Sequence, residues 1–465
     1  MITTVRRAFT TSFLQPVLQG VECRPEQMGV FKLHVRGKTK YRKPMDPSHA
    51  DEVPEFQFVG LRNKADTLAY VWGVADHGGL GRASFLRPDP KSRQKRMHYR
   101  FTPHRLGLGE YYEVKDLACG YGFTLFAVND SSVSCFGTGL NTDSQIGNQV
   151  NTKKNRLGML ISPGPLDIPL TNQAKVKKVA AGRAHTVMLT DSAGVWTVGN
   201  NAYGQCGRPV ITDEDYSRKS VYHQIRVLED KKIEHIECGQ DTSFFLSGDG
   251  VVYSCGWSAD GQTCRGHYNN EPNVGPIVGD VEGEKIIKVS CRGDCALALS
   301  DKGEVFGWGN NEYHQLSSVT QEMQIHTSRK MDLPGVGRIV DIASGGTMCL
   351  ALNEDGDVFS WGFGFLGKGP EVSYSKTPVQ IPSTLLGRTP LTPEAKVVSV
   401  YSGVNSFAAV NNIDSLYTWG KNPGGCLGLG HLKDQYFPFR VALAGGIRKV
   451  SIGVDHMAVL VKEVF

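Results

Sequence analysis

Two histidines stand at one recurring offset: His185 lies three residues after Gly182, and His456 three after Gly453. Imidazole beside a serine or cysteine and a carboxylate could do nucleophilic or general-base chemistry, yet no such partner keeps a repeatable spacing to either ring. Both read as packed, hydrogen-bonded histidines. A phosphate loop is the chemistry offered by Gly362-Phe-Gly364-Phe-Leu-Gly367-Lys-Gly369. It fails as a Walker motif, because Lys368 is followed by glycine where Ser or Thr opening a helix is needed. The eleven cysteines include no Cys-x-x-Cys pair, Cys291 with Cys295 being the nearest approach, so no metal site is expected. Cys119, Cys238 and Cys291 end apolar segments, as reduced core thiols would.

Binding chemistry is concentrated in Lys91-Ser-Arg93-Gln-Lys95-Arg96-Met-His98-Tyr99-Arg100. Its fixed charges on Lys91, Arg93, Lys95, Arg96 and Arg100 suit RNA phosphates or an anionic lipid surface, and Tyr99 could stack on an unpaired base. The bland alternative is a solvated loop. The acidic run Asp213, Glu214 and Asp215 has the same two readings, a partner contact or a solvated surface. Nothing here is a covalent catalyst, and no cofactor is expected.

The elements that must position these groups come from a chain of 465 residues, enough for about three ordinary domains or one large closed assembly. Its 54 glycines are roughly 12% of the chain against a usual ~7%, without collagen-like triplets, which implies many tight turns. No apolar run approaches the ~18 residues of a membrane-crossing helix, so no transmembrane segment is expected. Charge is uneven: residues 1–110 carry 19 Lys/Arg against 10 Asp/Glu, the remainder 32 against 36. Residues 1–30 open with Arg6 and Arg7, Thr and Ser, spaced Val5, Phe9 and Phe13, and no acid before Glu22, the profile of a mitochondrial transit peptide and flexible start. Residues 31–65 read as an extended basic arm or linker, and 66–465 as the folded body.

A repeat organises that body. Apolar segments (VKDLAC, VKKVAA, IEHIEC, IIKVSC, VDIAS, VVSVYS, IRKVSI) each precede one of Gly120, Gly182, Gly239, Arg292, Gly345, Gly403 and Gly453. Seventeen residues after the first six stand Gly137, Gly199, Gly256, Gly309, Gly362 and Gly420, each closing an aromatic-rich strand. The constant part reads as a hairpin core and the variable part as loop. Gly453 opens a last unit with no partner before Phe465, whereas Tyr70-Val71-Trp72-Gly73 is a closing strand without a first half. The expectation is an all-β, seven-bladed β-propeller closed by the N-terminal strand.

The segments after those glycines, including Asn201-Ala-Tyr-Gly204-Gln205-Cys206-Gly207, Asn311-Glu-Tyr-His-Gln315-Leu316 and Asn422-Pro-Gly-Gly425-Cys426-Leu427-Gly428, resemble the regulator-of-chromosome-condensation repeat family, as do Gly182-Arg-Ala-His185 and Gly453-Val-Asp-His456. NNAYGQCGR, CGWSADGQ, GFLGKGP and KDQYFPFRV resemble its mitochondrial, G-exchanging-factor-like branch. The resemblance implies a mitochondrial matrix protein, with peripheral inner-membrane association. Implied partners are mitochondrial ribosomal RNA and large-subunit assembly proteins, and a dynamin-related fusion GTPase as the target of nucleotide exchange. A purely architectural adaptor is the alternative. The chain departs from the pattern at Arg292 and in keeping only two repeat histidines, and no segment matches the exchange wedge of the nuclear member, so no catalytic residue carries over. The departing positions are expected to face neighbouring blades.

Overall fold

The computed structural model describes residues 67–88, 95–147, 158–170, 173–216 and 221–462. The expected transit peptide, the arm, Lys91 and Arg93 lie outside them. Chain order begins with β1 (Thr67–Val74) and β2 (Tyr99–Arg105). Blade 1 follows as β3 (Val114–Cys119), β4 (Phe123–Val128), β5 (Cys135–Leu140) and β6 (Met159–Pro165), and blade 2 as β7 (Val176–Ala181), β8 (His185–Thr190), β9 (Val195–Gly199) and the short β10 (His223–Gln224). Blade 3 holds β11 (Ile233–Cys238), β12 (Thr242–Ser247), β13 (Val252–Gly256) and β14 (Glu271–Pro276); blade 4 holds β15 (Ile286–Ser290), β16 (Cys295–Ser300), β17 (Val305–Asn310) and β18 (Gln324–Lys330). Blade 5 is β19 (Ile339–Ser344), β20 (Met348–Asn353), β21 (Val358–Phe363) and β22 (Tyr374–Gln380). Blade 6 is β23 (Val397–Ser402), β24 (Ser406–Asn411), β25 (Leu416–Gly420) and β26 (Gln435–Arg440). Finally, β27 (Gly446–Ile452) and β28 (His456–Lys462) share the seventh sheet with the first two strands, in the order β27-β28-β1-β2.

All seven sheets are antiparallel, and the first strands β3, β7, β11, β15, β19, β23 and β27 touch one another in a cycle around the axis. The fold is a seven-bladed propeller. Each second strand lies between neighbouring blades, so β4, β8, β12, β16, β20 and β24 are buried at every position and read as nearly continuous apolar runs. Fourth strands are half exposed and more polar.

The repeat glycines answer a steric demand. Gly139, Gly199, Gly256, Gly309, Gly362, Gly420 and Gly73 face Phe123, His185, Thr242, Cys295, Met348, Ser406 and His456 across the ladder, with φ from +94° to +116°. A side chain there would be strained and would strike the carbonyl preceding its partner. Blade 1 corrects the sequence alignment: its closing glycine is Gly139, and Gly137 faces Ile146 and Leu166 in the core. Its hairpin is two residues longer, because Asp130 builds a wider turn by accepting from the Ser132 and Val133 amides.

One backbone carbonyl joins each blade to the next. In four interfaces an indole N–H reaches it: Trp308 to Gln262, Trp361 to Gln315, Trp419 to Phe365 and Trp72 to Cys426, at 2.7–3.0 Å. The other three use a hydroxyl from the second strand: Thr124 to Gly79, Thr186 to Gln145 and Ser243 to Gln205, at 2.6–2.7 Å. Where the tryptophan is missing the hydroxyl is present, and the reverse. A buried carbonyl left without a donor would cost about 1–3 kcal/mol, which explains the exchange. The recurring glutamines act within their corners, Gln145, Gln205, Gln262 and Gln315 each accepting from the amide two residues earlier.

In urea unfolding, Trp308→Phe is expected to destabilise by at least about 1–3 kcal/mol. Adding Ala296→Thr, which puts a hydroxyl at the position of Thr186, should recover part of that loss. No recovery would mean that the two donors are not interchangeable.

Candidate functional site

Every first strand carries a β-bulge at the same place, for example between Val114 and Asp116 or between Ile286 and Lys288. The extra residue bends the strand and re-aims the next side chain. Four residues before each repeat glycine, the seven strands therefore contribute Asp116, Lys178, His235, Lys288, Asp341, Ser399 and Lys449. Lys449 pairs with Asp116 and Lys288 with Asp341, while the second carboxylate oxygens accept the Val179 and Val400 amides of the next strands at 2.9 Å. Asp116, Lys178, His235, Lys288 and Lys449 line a cavity of about 390 Å³ at this mouth of the axial channel. No repeat glycine or motif pointed to this ring; stacking the seven segments and reading one column would have found it.

Deeper in the channel, Arg292 explains its own departure from the repeat. Cys295 stands where Phe123 or His185 places a ring over Gly120 or Gly182, leaving room for a side chain. The guanidinium enters the channel, 3.6 Å from the Glu237 carboxylate and donating to the Ala181 carbonyl at 3.2 Å. Arg292 thus turns to the axis, where an inter-blade position was expected. Burial raises the Glu237 carboxyl above its ordinary value, and Arg292 opposes that rise.

The opposite mouth is formed by the turns after the repeat glycines. Here Arg183 pairs with Asp241, and Asp294 accepts from the Gln262 amide at 3.3 Å. Burial raises both Asp241 and Asp294 above the usual carboxylate range and pushes the Tyr121 phenol up to about 12. This turn face is a polar surface of partly desolvated acids and an arginine, able to pair with a partner's cations.

His185 and His456 share a repeat position but not a charge. His185 Nε2 lies 3.0 Å from Ser243 Oγ, its Nδ1 is buried without a partner, and burial depresses its pKa to about 3. His456 has acceptors on both sides, Asp455 at 2.8 Å and Thr124 at 2.8 Å. Burial works against its charge, but the Cys119 sulfur and the Asp455 carboxylate prevail and raise its pKa to about 10. His77, after β1, bonds the other Asp455 oxygen at 2.7 Å. Asp455 is held ionised between two histidines, against the cost of its burial.

The basic run is only partly assembled by the fold. Lys95 and Arg96 are exposed, Arg96 sharing Asp76 with His98 at 3.0 Å, and Arg100 lies half-buried on β2. Tyr99 and Phe101 on that strand are exposed side by side, ring centroids 6.2 Å apart. Glu214 is committed internally, both carboxylate oxygens accepting from the buried Arg208 at 2.8 and 2.9 Å. The glycine-rich 362–369 segment is a blade corner: the amides of Phe363, Gly364 and Gly369 already donate to Thr347, Ser373 and Tyr436 carbonyls. The ten described cysteines are unpaired and buried, burial pushing Cys135 and Cys206 up to about 12. Among the described residues no His, Cys, Asp or Glu cluster could hold a metal, and no helix is long and apolar enough to cross a membrane.

Seven four-stranded repeats around an axis, with Gly-Gln corners and the Gly-x-x-His turn, define a propeller of the regulator-of-chromosome-condensation class. The regulator of chromosome condensation (RCC1) repeat matches residues 192–246, 302–352 and 414–460. A mouse protein, RCC1-like G exchanging factor-like protein, is 44% identical over 92% of this chain and 94% of its own length; the human protein of that name is 44% identical over 89% and 90%. The crystal structure of human WBSCR16 superposes with a TM-score of 0.81 at 43% identity, covering 86% of this chain and all of that one. Yeast RCC1 (Prp20) shares the fold with a TM-score of 0.66 at 18% identity, over 94% and 97% of the two chains. The chain belongs to the RCC1 repeat family, among the RCC1-like G exchanging factor-like proteins.

The Asp455 cluster makes stability depend on pH in a definite direction. A raised histidine pKa adds stability that is complete below about 6.5 and lost as pH climbs through the folded value; a depressed carboxylate adds stability present above about 4. Asp455→Ala should therefore cost about 3 kcal/mol near pH 5–6. That cost should shrink toward pH 10, as read by denaturant melts across pH; a pH-independent loss would contradict the charged His456.

Proposed function

We propose that the protein is a mitochondrial propeller scaffold in large-subunit ribosome biogenesis, holding ribosomal RNA along the β2 edge. The observation that carries this reading is the exposed Tyr99 and Phe101 on the outer strand β2, with Arg100 on the same strand and Lys95 and Arg96 in the segment leading into it. Aromatic faces accept stacked bases of any sequence, and the flanking cations meet the phosphates. The transit-like first residues support the compartment. A family relative from Arabidopsis thaliana, 29% identical over 63% of this chain, is named RCC1 domain-containing protein RUG3, mitochondrial.

The turn face favours a second role, exchange on a guanine-nucleotide-binding partner, for which the dynamin-related fusion GTPase is the candidate. Arg183, Asp241 and Asp294 can engage a switch segment by charge and shape, and binding the nucleotide-free form more tightly than the loaded form is all that exchange requires. Such a role needs no covalent nucleophile. The relatives' name, G exchanging factor-like, agrees with it.

Ultraviolet crosslinking in intact mitochondria tests the RNA role. Replacing Lys95, Arg96 and Arg100 by alanine should lower ribosomal RNA recovery about tenfold and flatten the salt dependence, while Tyr99→Ala should lower recovery without changing the salt slope. Unchanged recovery in both would remove RNA binding from β2. For exchange, release of labelled GDP from the purified fusion GTPase should accelerate with wild-type protein and fall at least about tenfold with Arg183→Glu and Asp294→Lys combined, a loss of ~1.4 kcal/mol. Release indifferent to protein concentration would leave the scaffold role alone.

A further inference from the structure

The bulges that aim the axial ring also push seven residues out onto the face around it. In blade order these are Lys115, Lys177, Glu234, Ile287, Val340, Val398 and Arg448, and all seven are exposed. Their chemistry is sorted by sector. Blades 7, 1 and 2 present Arg448, Lys115 and Lys177, while blades 4, 5 and 6 present Ile287, Val340 and Val398 at 43%, 44% and 54% exposure. Three aliphatic side chains standing in water on adjacent blades of one rim are a contact surface rather than scattered surface noise.

The positive sector is under-neutralised. Lys115, Lys288 and Lys449 have carboxylate partners in Glu113, Asp341 and Asp116. Lys178 donates only to the Glu234 carbonyl at 2.8 Å and to His235 Nδ1 at 2.9 Å. Among the described residues the side chains of Lys177 and Arg448 have no ion pair or hydrogen bond. Lys178 and Ile287 line the cavity of about 390 Å³, and Lys177 and Arg448 add exposed cations without an ion pair on the neighbouring strands.

We propose that this bulge-side mouth of the channel docks an acidic peptide segment of a partner protein, its carboxylates on Lys177, Lys178 and Arg448 and its aliphatic side chains on Ile287, Val340 and Val398. Charge complementarity selects the occupant. Lys177, Lys178 and Arg448 call for carboxylates, and Ile287, Val340 and Val398 for aliphatic groups. The mouth is concave, with Lys178, Lys288 and Lys449 turned to the axis, which suits a protruding segment better than a flat bilayer. The surface lies at the other end of the channel from Arg183, Asp241 and Asp294 and away from the β2 edge, so it is independent of both roles proposed above.

The test is fluorescence anisotropy of the full chain with a fluorescein-labelled peptide of repeated Leu-Glu-Glu triplets. Matched peptides carry Lys for Glu or Ser for Leu. Binding of the first peptide should weaken about tenfold or more with Lys177→Glu, Lys178→Glu and Arg448→Glu combined, and similarly with Ile287→Ser, Val340→Ser and Val398→Ser combined. The two matched peptides should bind at least about tenfold more weakly than the parent. A photoreactive version crosslinked to wild-type protein should mark β7, β15, β19, β23 or β27, a readout that does not depend on either variant folding. No binding, binding equal in all variants, or crosslinks elsewhere would overturn the proposal. It would also be overturned if the variants abolished flotation with phosphatidylserine vesicles, or dissociated a dimer in sedimentation, without affecting the peptide.

Discussion

The architecture depends on the ladder between β1 and β28, in which Thr67 faces Lys462 and the register runs without interruption to Gly73 facing His456. A sheet whose last strand had no neighbour would leave β28 as an open edge, a template for pairing with another chain. Placing both described ends of the chain in one sheet converts a local hairpin repeat into a structure with high sequence separation between contacts. Trp72 reinforces the same junction by donating to the Cys426 carbonyl across 354 positions of sequence. The His77–Asp455–His456 cluster sits at this junction as well, joining the loop after β1 to the turn before β28.

Around the rest of the axis, stability rests on repetition with local substitution. Each interface must satisfy one buried carbonyl, and either an indole or a hydroxyl does so. The identity of the donor can vary from blade to blade because the constraint is a hydrogen-bond geometry, not a residue type. Arg292 follows from a local contact in the same way: Phe123 and His185 place rings over Gly120 and Gly182, whereas Cys295 places none over position 292. Once Cys295 removed the ring, the position became available for an arginine, and the arginine in turn allowed a carboxylate, Glu237, to be carried inside the channel.

The channel separates two chemically different faces. At the turn face, Asp241 and Asp294 are acids lifted by burial beside Arg183. At the bulge face, lysines outnumber their carboxylate partners and border exposed aliphatic groups. A propeller is well suited to such a division, since every blade contributes one short segment to each face and the segments can vary without disturbing the buried second strands. Partners on the two faces would not compete for space, as a scaffold requires.

The repeat of apolar strand, glycine, hairpin and glycine determined the fold class from sequence alone, because backbone conformation and alternating burial act over a few residues and leave a local signature. So did the unpaired half-repeats at Tyr70–Gly73 and Gly453, and the likeness of the corner motifs to a known family. What sequence misplaced was the closing glycine of blade 1: Gly137 keeps the common spacing, but only the ladder register distinguishes it from Gly139. The axial ring, the divided rim and the different protonation of His185 and His456 were decided by tertiary structure. Asp116 and Lys449 are adjacent only after the chain has gone round the axis, and a histidine's proton depends on what lies beyond each ring nitrogen. Residue type and spacing carry no record of either.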